Sequence, residues 1–366
     1  MKVFVAIDSF KGSLSTFEAN EAVREALAEI NPDLEVRCFP MSDGGEGFSE
    51  VYTCYAEASK IDLKAHSPLG DIIDTHYYLT ADGTAIIESA LICGYTLVPY
   101  SKKDPLNLTT FGLGEIMADA ISRGAKRMVI GLGGTSTCDG GVGMLQALGA
   151  MFYLKNRLLS PGEPALMNRI EKVDLSALKS IDCAVSVWVD TDASFYGEKG
   201  AVKVFGRQKG IKPEYMDAAD QWMKRLWSLY GRGESFVPGT GAAGGLGGAL
   251  SLLSDSETVS GAQSILAVSR FKELVDGEAT APDYVITGEG KFDSQSLTGK
   301  LPYAVALSAP KAKVICLAGK AEILSDIHFE RIVQITPDDM PLSKALDKEV
   351  AAENIRTSLR NITFAQ

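Results

Sequence analysis

The chain has 366 residues, a formal net charge of −11 and a hydrophobic fraction of 46%. This length exceeds what one hydrophobic core usually serves, so we expect two domains. The negative charge argues against a nucleic-acid partner, because such a surface repels phosphates. No apolar run is long enough to span a membrane, and the N-terminal stretch turns polar too early for a signal peptide.

Cysteine and histidine usage gives no sign of a zinc site or a disulfide framework. The six cysteines are scattered without a CxxC pair, and the three histidines are widely separated. We therefore expect a cytoplasmic protein with reduced thiols.

The first predicted segment is a strand, a helix and a second strand. Residues 2–7, KVFVAI, form a continuous apolar run, which is typical of a strand buried on both faces of a parallel sheet. Ser15 and Glu18 form a capping box, and the apolar residues that follow keep helical spacing until Pro32. Residues 34–39, LEVRCF, are the next strand. The segment predicts a βαβ unit with a right-handed crossover.

A different pattern begins at Asp71. The runs DTHYYLT and AIIESA flank an Ala-Asp-Gly turn and predict a β-hairpin, which an all-parallel unit would not contain. We interpret the hairpin as the start of a second α/β domain inserted into the first. The alternative is a hairpin that decorates one large sheet.

The rest of the chain alternates between helices and strands. A helix is predicted over residues 112–123, with Gly124 as its C-terminal glycine. The further predicted strands are 127–132, 183–189, 283–287, 313–319 and 331–336. This pattern is typical of parallel sheets covered by helices.

Carboxylates and glycines follow five of these strands. In open α/β sheets, ligands bind beyond the carboxyl ends of the strands, so residues there are candidates for a site. In chain order, these candidates are Asp8, Ser9, Lys11, Asp43, Gly44, Gly45, Gly133, Gly134, Thr135, Ser136, Asp139, Asp190, Asp192, Gly288, Glu289, Gly290, Lys291 and Asp293.

Such residues suit phosphoryl transfer. Glycine-rich loops expose backbone N–H groups to phosphates, carboxylates are the oxygen ligands that Mg²⁺ prefers, and one carboxylate can accept the proton of the attacking hydroxyl. Purely structural explanations exist for some of them. Asp8 and Asp139 could be helix caps, and Gly44 and Gly45 could form a tight turn.

The stretch VITGEGKFDSQSLTGK, residues 285–300, fits neither common nucleotide template. A Walker A loop ending at Lys300 would need glycine at Ser294 and a hydroxyl residue at Leu301. A dinucleotide fingerprint starting at Gly288 meets Asp293 where its third glycine belongs. The stretch therefore indicates nucleotide chemistry of another kind.

Several longer blocks resemble the bacterial glycerate kinase type 1 family. They are DSFKGSLS, SDGGEGF, GLGGTSTCDGGVGMLQALG, VFGRQKG, GTGAAGGLGGAL and VITGEGKFDSQSLTGKLP, in the family's order and spacing from residue 5 to roughly residue 320. The resemblance implies ATP-dependent phosphorylation of D-glycerate to 2-phosphoglycerate or 3-phosphoglycerate, with Mg²⁺. It makes a kinase for another small hydroxy acid the main alternative, ahead of a binding protein without turnover.

The resemblance also implies two α/β domains. We predict a discontinuous Rossmann-like domain from residues 1–65 plus 262–366, and an inserted flavodoxin-like domain with the β-hairpin from residues 66–261. The chain departs from the family at Ala193, Ser194 and Phe195, which replace Asn-Pro-Leu, and at Cys138 and Lys291, which replace Asn and Arg. The partners we expect are glycerate and ATP, with no nucleic acid and no membrane; the sequence leaves the oligomeric state open, with a homodimer as one candidate.

We assign roles to the candidates as predictions. Asp190 is the predicted base because it directly follows an apolar strand, where partial burial would make it a better proton acceptor, and Asp192 is second. Lys11 is a further catalytic candidate. Glycerate is assigned to Asp8, Ser9, Lys11, Gly44 and Gly45; the ATP phosphates to Gly133, Gly134, Thr135, Ser136, Gly288, Glu289, Gly290 and Lys291; and Mg²⁺ to Asp43, Asp190 and Asp293.

Overall fold

The computed structural model describes residues 1–155, 157–163, 167–233, 236–323 and 325–364. Its strands are β1 (Lys2–Ile7), β2 (Glu35–Cys38), β3 (Ala58–His66), β4 (Ile72–Thr80), β5 (Thr84–Glu88), β6 (Arg127–Gly131), β7 (Met151–Leu154), β8 (Arg157–Leu158), β9 (Ile170–Asp174), β10 (Ala184–Val189), β11 (Ser256–Ser260), β12 (Tyr284–Phe292), β13 (Lys313–Ala321) and β14 (Arg331–Gln334). Its α-helices are α1 (Thr16–Ile30), α2 (Phe48–Thr53), α3 (Ala90–Cys93), α4 (Phe111–Ser122), α5 (Val142–Ala147), α6 (Ala201–Lys209), α7 (Met216–Leu229), α8 (Ala242–Leu250), α9 (Gly261–Val268), α10 (Phe271–Asp276), α11 (Leu301–Ser308), α12 (Leu342–Ala345) and α13 (Lys348–Arg360).

The described chain divides into two compact units. Unit 1 comprises Met1–Asp43, Glu50–Tyr55 and the described residues from Gly261 onward. Unit 2 comprises Gly44–Ser49 and the described residues of Ala56–Ser260. The α/β fold class predicted from the sequence is confirmed, because both units combine helices with parallel strands.

Unit 1 is built on a five-stranded parallel sheet with the order β14-β13-β12-β1-β2. The chain runs from β1 to its neighbour β2 on one side and from β12 to β13 and β14 on the other. The strand order therefore reverses between β1 and β12. Such a reversal is where open α/β sheets bind their ligands.

The predicted βαβ segment at the N-terminus is confirmed. The backbone N–H of Glu18 donates to the Ser15 hydroxyl at 3.2 Å, and the N–H of Ser15 donates to the Glu18 carboxylate at 2.8 Å, so the capping box forms before α1. One face of β1 packs with α1 and α13 in the core of unit 1. On the other face, the Phe4 ring contacts the Phe39 ring in a tilted arrangement, with ring centroids 4.9 Å apart. Burial on both faces explains the continuous apolar run of β1.

Unit 2 is built on a six-stranded sheet with the order β11-β10-β6-β5-β4-β3. In this sheet β5, β6, β10 and β11 pair in parallel, whereas β3, β4 and β5 pair antiparallel. The predicted hairpin is confirmed as β4 and β5, with Tyr78 opposite Ile86. β3 lies in this sheet beside β4, whereas the sequence had placed residues 58–65 in the other domain.

A small antiparallel sheet with the order β8-β7-β9 completes unit 2. These three strands were not predicted from the sequence. Phe152 of β7 and Ile170 of β9 are fully buried in the core of the unit, so the small sheet extends the same hydrophobic interior. Among the residues that the structure describes, no helix is both long and apolar enough to cross a membrane.

Candidate active site

Three carboxylates come from the neighbouring strands β1 and β12 and from the loop after β2, at the reversal point of the unit 1 sheet. Ile7, the last residue of β1, lies opposite Gly288 of β12, so Asp8 follows the end of β1 next to Glu289. The sequence predicted that the strand ends at residue 287, but β12 continues to Phe292, so Gly288, Glu289, Gly290 and Lys291 lie within the strand. Asp8 is 8% exposed and accepts a hydrogen bond from the Ser9 N–H at 2.6 Å. Burial raises the pKa of Asp8 well above its usual range, and the charges of Asp43 and Glu289 raise it further, while Lys11 opposes them. We call Asp8, Asp43 and Glu289 the acid cluster.

One carboxylate oxygen of Glu289 lacks a hydrogen-bond donor. Its Oε1 is buried and has no hydrogen-bond partner among the described residues. Burial raises the pKa of Glu289 to about 7, against a hydrogen bond from Ser296 and the charge of Lys300. A buried acceptor without a donor is costly and points to a partner that arrives with the ligand.

The Asp43 backbone packs against the start of α9. A Cβ added to Gly261 would lie 1.8 Å from the Asp43 carbonyl oxygen, so only glycine fits there. The Asp43 residue itself is 7% exposed. The sequence analysis did not single out Gly261, because its role depends on a neighbour more than two hundred positions away in the chain.

Lys291 and Asp293 are engaged with each other. The Lys291 ammonium lies 3.1 Å from the Asp293 carboxylate and 2.8 Å from Glu322. The N–H of Gln295 also donates to Asp293, at 2.9 Å. Burial tends to raise the pKa of Asp293, but the Lys291 and Gln295 hydrogen bonds outweigh it and the pKa is lowered. Asp293 therefore shapes the loop that follows β12.

The two other predicted glycines of this stretch differ in their surroundings. A Cβ on Gly288 would lie 2.5 Å from the Leu317 carbonyl oxygen of the neighbouring strand, so this glycine serves the close approach of β12 and β13. A Cβ on Gly290 would meet only the Lys11 backbone nitrogen, at 3.7 Å. Gly290 therefore lies beside the loop that carries Lys11.

In unit 2 the two predicted glycine loops lie against each other. A Cβ on Gly133 would lie 2.6 Å from the Gly45 Cα, and one on Gly44 would lie 3.0 Å from the Trp188 carbonyl oxygen. Gly44 also has a φ of +103°, which disfavours any other residue. The structure thus brings together Gly44, Gly45 and Gly133.

Glu88 holds the loop of residues 44–49 in place. It ends β5, is 4% exposed, and accepts hydrogen bonds from the Gly47 N–H at 2.9 Å and the Ser49 N–H and hydroxyl at 3.1 and 2.9 Å. Burial raises the pKa of Glu88, while these hydrogen bonds oppose the shift. Glu88 was not predicted from the sequence, because its segment shows only the pattern of a hairpin strand.

Some polar groups of the 133–137 loop are hydrogen-bonded within the protein, and others are not. The N–H and hydroxyl of Ser136 both donate to the Cys93 carbonyl oxygen, at 2.8 and 3.0 Å, so this side chain is used inside the protein. The backbone N–H groups of Gly133, Gly134 and Thr135 have no acceptor within the described ranges. Gly134 has a φ of +63°, and successive N–H groups around such a residue form an anion-binding concavity.

Asp139 is a structural residue. Its carboxylate accepts hydrogen bonds from the N–H groups of Gly141 at 2.9 Å and Gly143 at 3.1 Å, and from the N–H and hydroxyl of Thr110 at 3.0 and 2.8 Å. Asp139 thus satisfies N–H groups at the start of α5, although the N-cap residue of that helix is Gly141.

The burial expected for Asp190 is wrong. Val189 at the end of β10 is buried, but Asp190 and Asp192 are both exposed. The sheet ends at Val189, so the next carboxylate is already in solvent. The argument that burial tunes Asp190 as a base fails, and the structure places the buried carboxyls with raised pKa at Asp8 and Glu289 instead.

We expect Gly133→Ala to destabilise unit 2 and to disturb both glycine loops. The added methyl would collide with backbone rather than with a movable side chain, and such overpacking costs about 1–3 kcal/mol of unfolding free energy. Chemical denaturation would measure it. Gly233→Ala, where a Cβ would meet nothing within 4 Å, is the control. Equal stability of the two variants would contradict the packing argument.

Comparison with known proteins identifies relatives along the whole chain. The model of the family described as "Glycerate kinase family" matches residues 3–365. A Bacillus subtilis protein named glycerate kinase is 36% identical, covering 99% of this chain and 97% of its own. An Escherichia coli protein named glycerate 2-kinase is also 36% identical, covering 87% of this chain and 85% of its own.

A solved structure has the same fold. The crystal structure of a Salmonella typhimurium LT2 protein, described as a candidate glycerate kinase 2, superposes with a TM-score of 0.76 at 32% sequence identity. The match covers 99% of this chain and 96% of that one. The resemblance inferred from the sequence motifs is confirmed.

Proposed function

Because this chain belongs to the glycerate kinase family, we propose that it is the kinase that transfers the γ-phosphoryl group of ATP to D-glycerate, giving 2-phosphoglycerate and ADP. The choice of the 2-hydroxyl follows the name of the Escherichia coli relative, a glycerate 2-kinase. Family membership supports the reaction, and the geometry of unit 1 supports the assignment of its acid and base groups.

The observation that carries this assignment is the unsatisfied Oε1 of Glu289 in the acid cluster. A substrate hydroxyl would supply the missing donor. As the hydroxyl oxygen bonds to the γ-phosphorus and the bond to the ADP oxygen breaks, the proton passes to Glu289 Oε1. A pKa of about 7 suits this transfer at neutral pH. We therefore move the proposed base from Asp190 to Glu289.

The carboxylates of unit 1 fit a magnesium ion. The buried carboxyls of Asp8 and Asp43 repel each other, and a divalent cation would offset that repulsion. Within the described residues no group of three or more His, Cys, Asp or Glu side chains is arranged to hold a metal, but Mg²⁺ commonly takes only one or two carboxylates and keeps several waters. We propose Asp43, assisted by Asp8, as its ligands. A bound Mg²⁺ would neutralise charge on the ATP phosphates.

The remaining roles concern anions. The unused N–H groups of Gly133, Gly134 and Thr135 are proposed to bind ATP phosphates. The Lys11 ammonium is proposed to attract the glycerate carboxylate, and Gly44 and Gly45 remain candidates for the same substrate. Asp190 and Asp293 remain only secondary candidates for the metal, since Asp293 is already engaged by Lys291.

We also propose a cytoplasmic location, on the basis of the cysteines. All six cysteines are free, with four of them buried, which suits a reducing cytoplasm where ATP is abundant. The homodimer stays a prediction.

We expect ADP release to be fastest with D-glycerate. A coupled ADP assay on purified protein would compare D-glycerate with L-glycerate, glycolate and D-lactate, which vary the hydroxyl positions and the configuration. Preference for another hydroxy acid would favour the alternative kinase function. ADP release with none of them, in the presence of Mg²⁺, would contradict the proposal.

A further inference from the structure

Lys209 is a buried lysine without a role so far. It is the last residue of α6, and it is 7% exposed. The following Gly210 has a φ of +110°, and a Cβ there would lie 2.9 Å from the Lys103 carbonyl oxygen. Glycine thus lets the helix end tightly against the neighbouring segment, and the lysine side chain enters the interior of unit 2.

The Lys209 ammonium bonds directly to the 133–137 loop. Its Nζ donates to the Thr135 hydroxyl oxygen and to the Thr137 carbonyl oxygen, both at 2.9 Å. These acceptors flank Ser136, which is itself bonded to the Cys93 carbonyl oxygen. Three consecutive loop residues are therefore fixed from the protein interior.

The two acceptors of the Lys209 ammonium are uncharged, so they do not balance the free-energy cost of burying its positive charge. Burial lowers the pKa of Lys209 to about 8, although Cys138, Cys93 and Asp139 oppose the shift. The carboxylate of Asp139 is already bonded to Thr110, Gly141 and Gly143. The charge of Asp139 offsets part of the desolvation cost of Lys209, and an anion bound at the loop would offset more of it.

We propose that Lys209 is a positioning residue for the nucleotide phosphates. It holds the 133–137 loop in the conformation that keeps the N–H groups of Gly133, Gly134 and Thr135 available to phosphate oxygens, and its charge strengthens the attraction of the loop for them. This inference rests on the proposed function, in which the loop binds ATP.

The test compares two lysines of the same helix. Lys209→Met removes the charge at similar length, and Lys203→Met is the control, since Lys203 pairs with Asp217 on the protein surface. Calorimetry would measure binding of ADP and of inorganic tripolyphosphate, a probe without the nucleoside. We expect Lys209→Met to weaken both ligands about tenfold, to raise the KM for ATP similarly, and to change the KM for glycerate less than about twofold. Lys203→Met should bind like the parent.

A second variant covers the case in which Lys209→Met does not fold. Thr135→Val keeps the lysine and removes one of its acceptors, so it should weaken tripolyphosphate by a smaller factor, about threefold. Thermal unfolding would establish which variants are folded. A folded Lys209→Met that binds both ligands within twofold of the parent would overturn the inference. If Lys209→Met is unfolded, a Thr135→Val variant with unchanged affinity for tripolyphosphate would overturn it. A parent protein that binds neither ligand would overturn the proposed function itself.

Discussion

Glu289→Gln is expected to lower kcat about 1,000-fold while changing the KM for ATP little, because a general base contributes about 10²–10⁴ to the rate. The amide keeps the shape of the side chain and removes only the proton acceptor. The unsatisfied Oε1 of Glu289 would no longer take the proton of the attacking hydroxyl. Steady-state kinetics with both substrates varied would separate the effects on kcat and KM.

A matched control for this variant lies in the same unit. Glu322→Gln changes another glutamate, one that is 57% exposed and pairs with Lys291, so its kcat should stay near that of the parent. Asp190→Asn tests the earlier assignment of the base. If Asp190→Asn abolishes turnover while Glu289→Gln remains active, the base is Asp190 and the assignment to Glu289 is wrong.

Asp43→Asn is expected to raise the Mg²⁺ concentration for half-activation about tenfold or more and to lower the maximal rate about 100-fold. Loss of one buried carboxylate removes a charged oxygen ligand, and the neutral amide oxygen is a weaker one. The variant also relieves the repulsion on Asp8, so its fold should be retained. Activity titrations with Mg²⁺, and direct Mn²⁺ binding by electron paramagnetic resonance, would measure the two effects independently.

Asp293→Asn provides the comparison for the metal site. Because Asp293 is bonded to Lys291 and to the Gln295 N–H, we expect its loss to leave Mg²⁺ activation within about threefold of the parent. An Asp43→Asn enzyme with unchanged Mg²⁺ and Mn²⁺ affinity would exclude Asp43 as a ligand. If only Asp293→Asn strongly weakened Mg²⁺ activation, the metal site would instead lie in the loop after β12.

Local patterns were enough to predict the main secondary structure. The apolar run of β1, the capping box at Ser15 and the turn between β4 and β5 each depend on neighbours in the chain, and each is present in the structure. β3 escaped prediction because it alternates apolar residues with lysine and aspartate and is only partly buried. Its strand conformation comes from pairing with β4 along nine residues.

The site depends more on distant contacts, and the sequence alone predicted less of it. The strand-end rule selected Asp8, Asp43 and Glu289, but the pairing of β1 with both β12 and β2 makes them a cluster. Lys209 was missed because its partner Thr135 lies 74 residues away, and Glu88 was missed because Ser49 lies 39 residues away. The burial of Asp190 was predicted wrongly, because an apolar strand does not show at which residue burial ends.

The most direct test of the central claim is phosphorus NMR of the purified protein with ATP, Mg²⁺ and D-glycerate. The account predicts that the γ-phosphate signal of ATP is lost and that ADP and 2-phosphoglycerate appear in equal amounts, with the product consumed on addition of enolase. Unchanged ATP, or release of inorganic phosphate without a phosphomonoester, would contradict it.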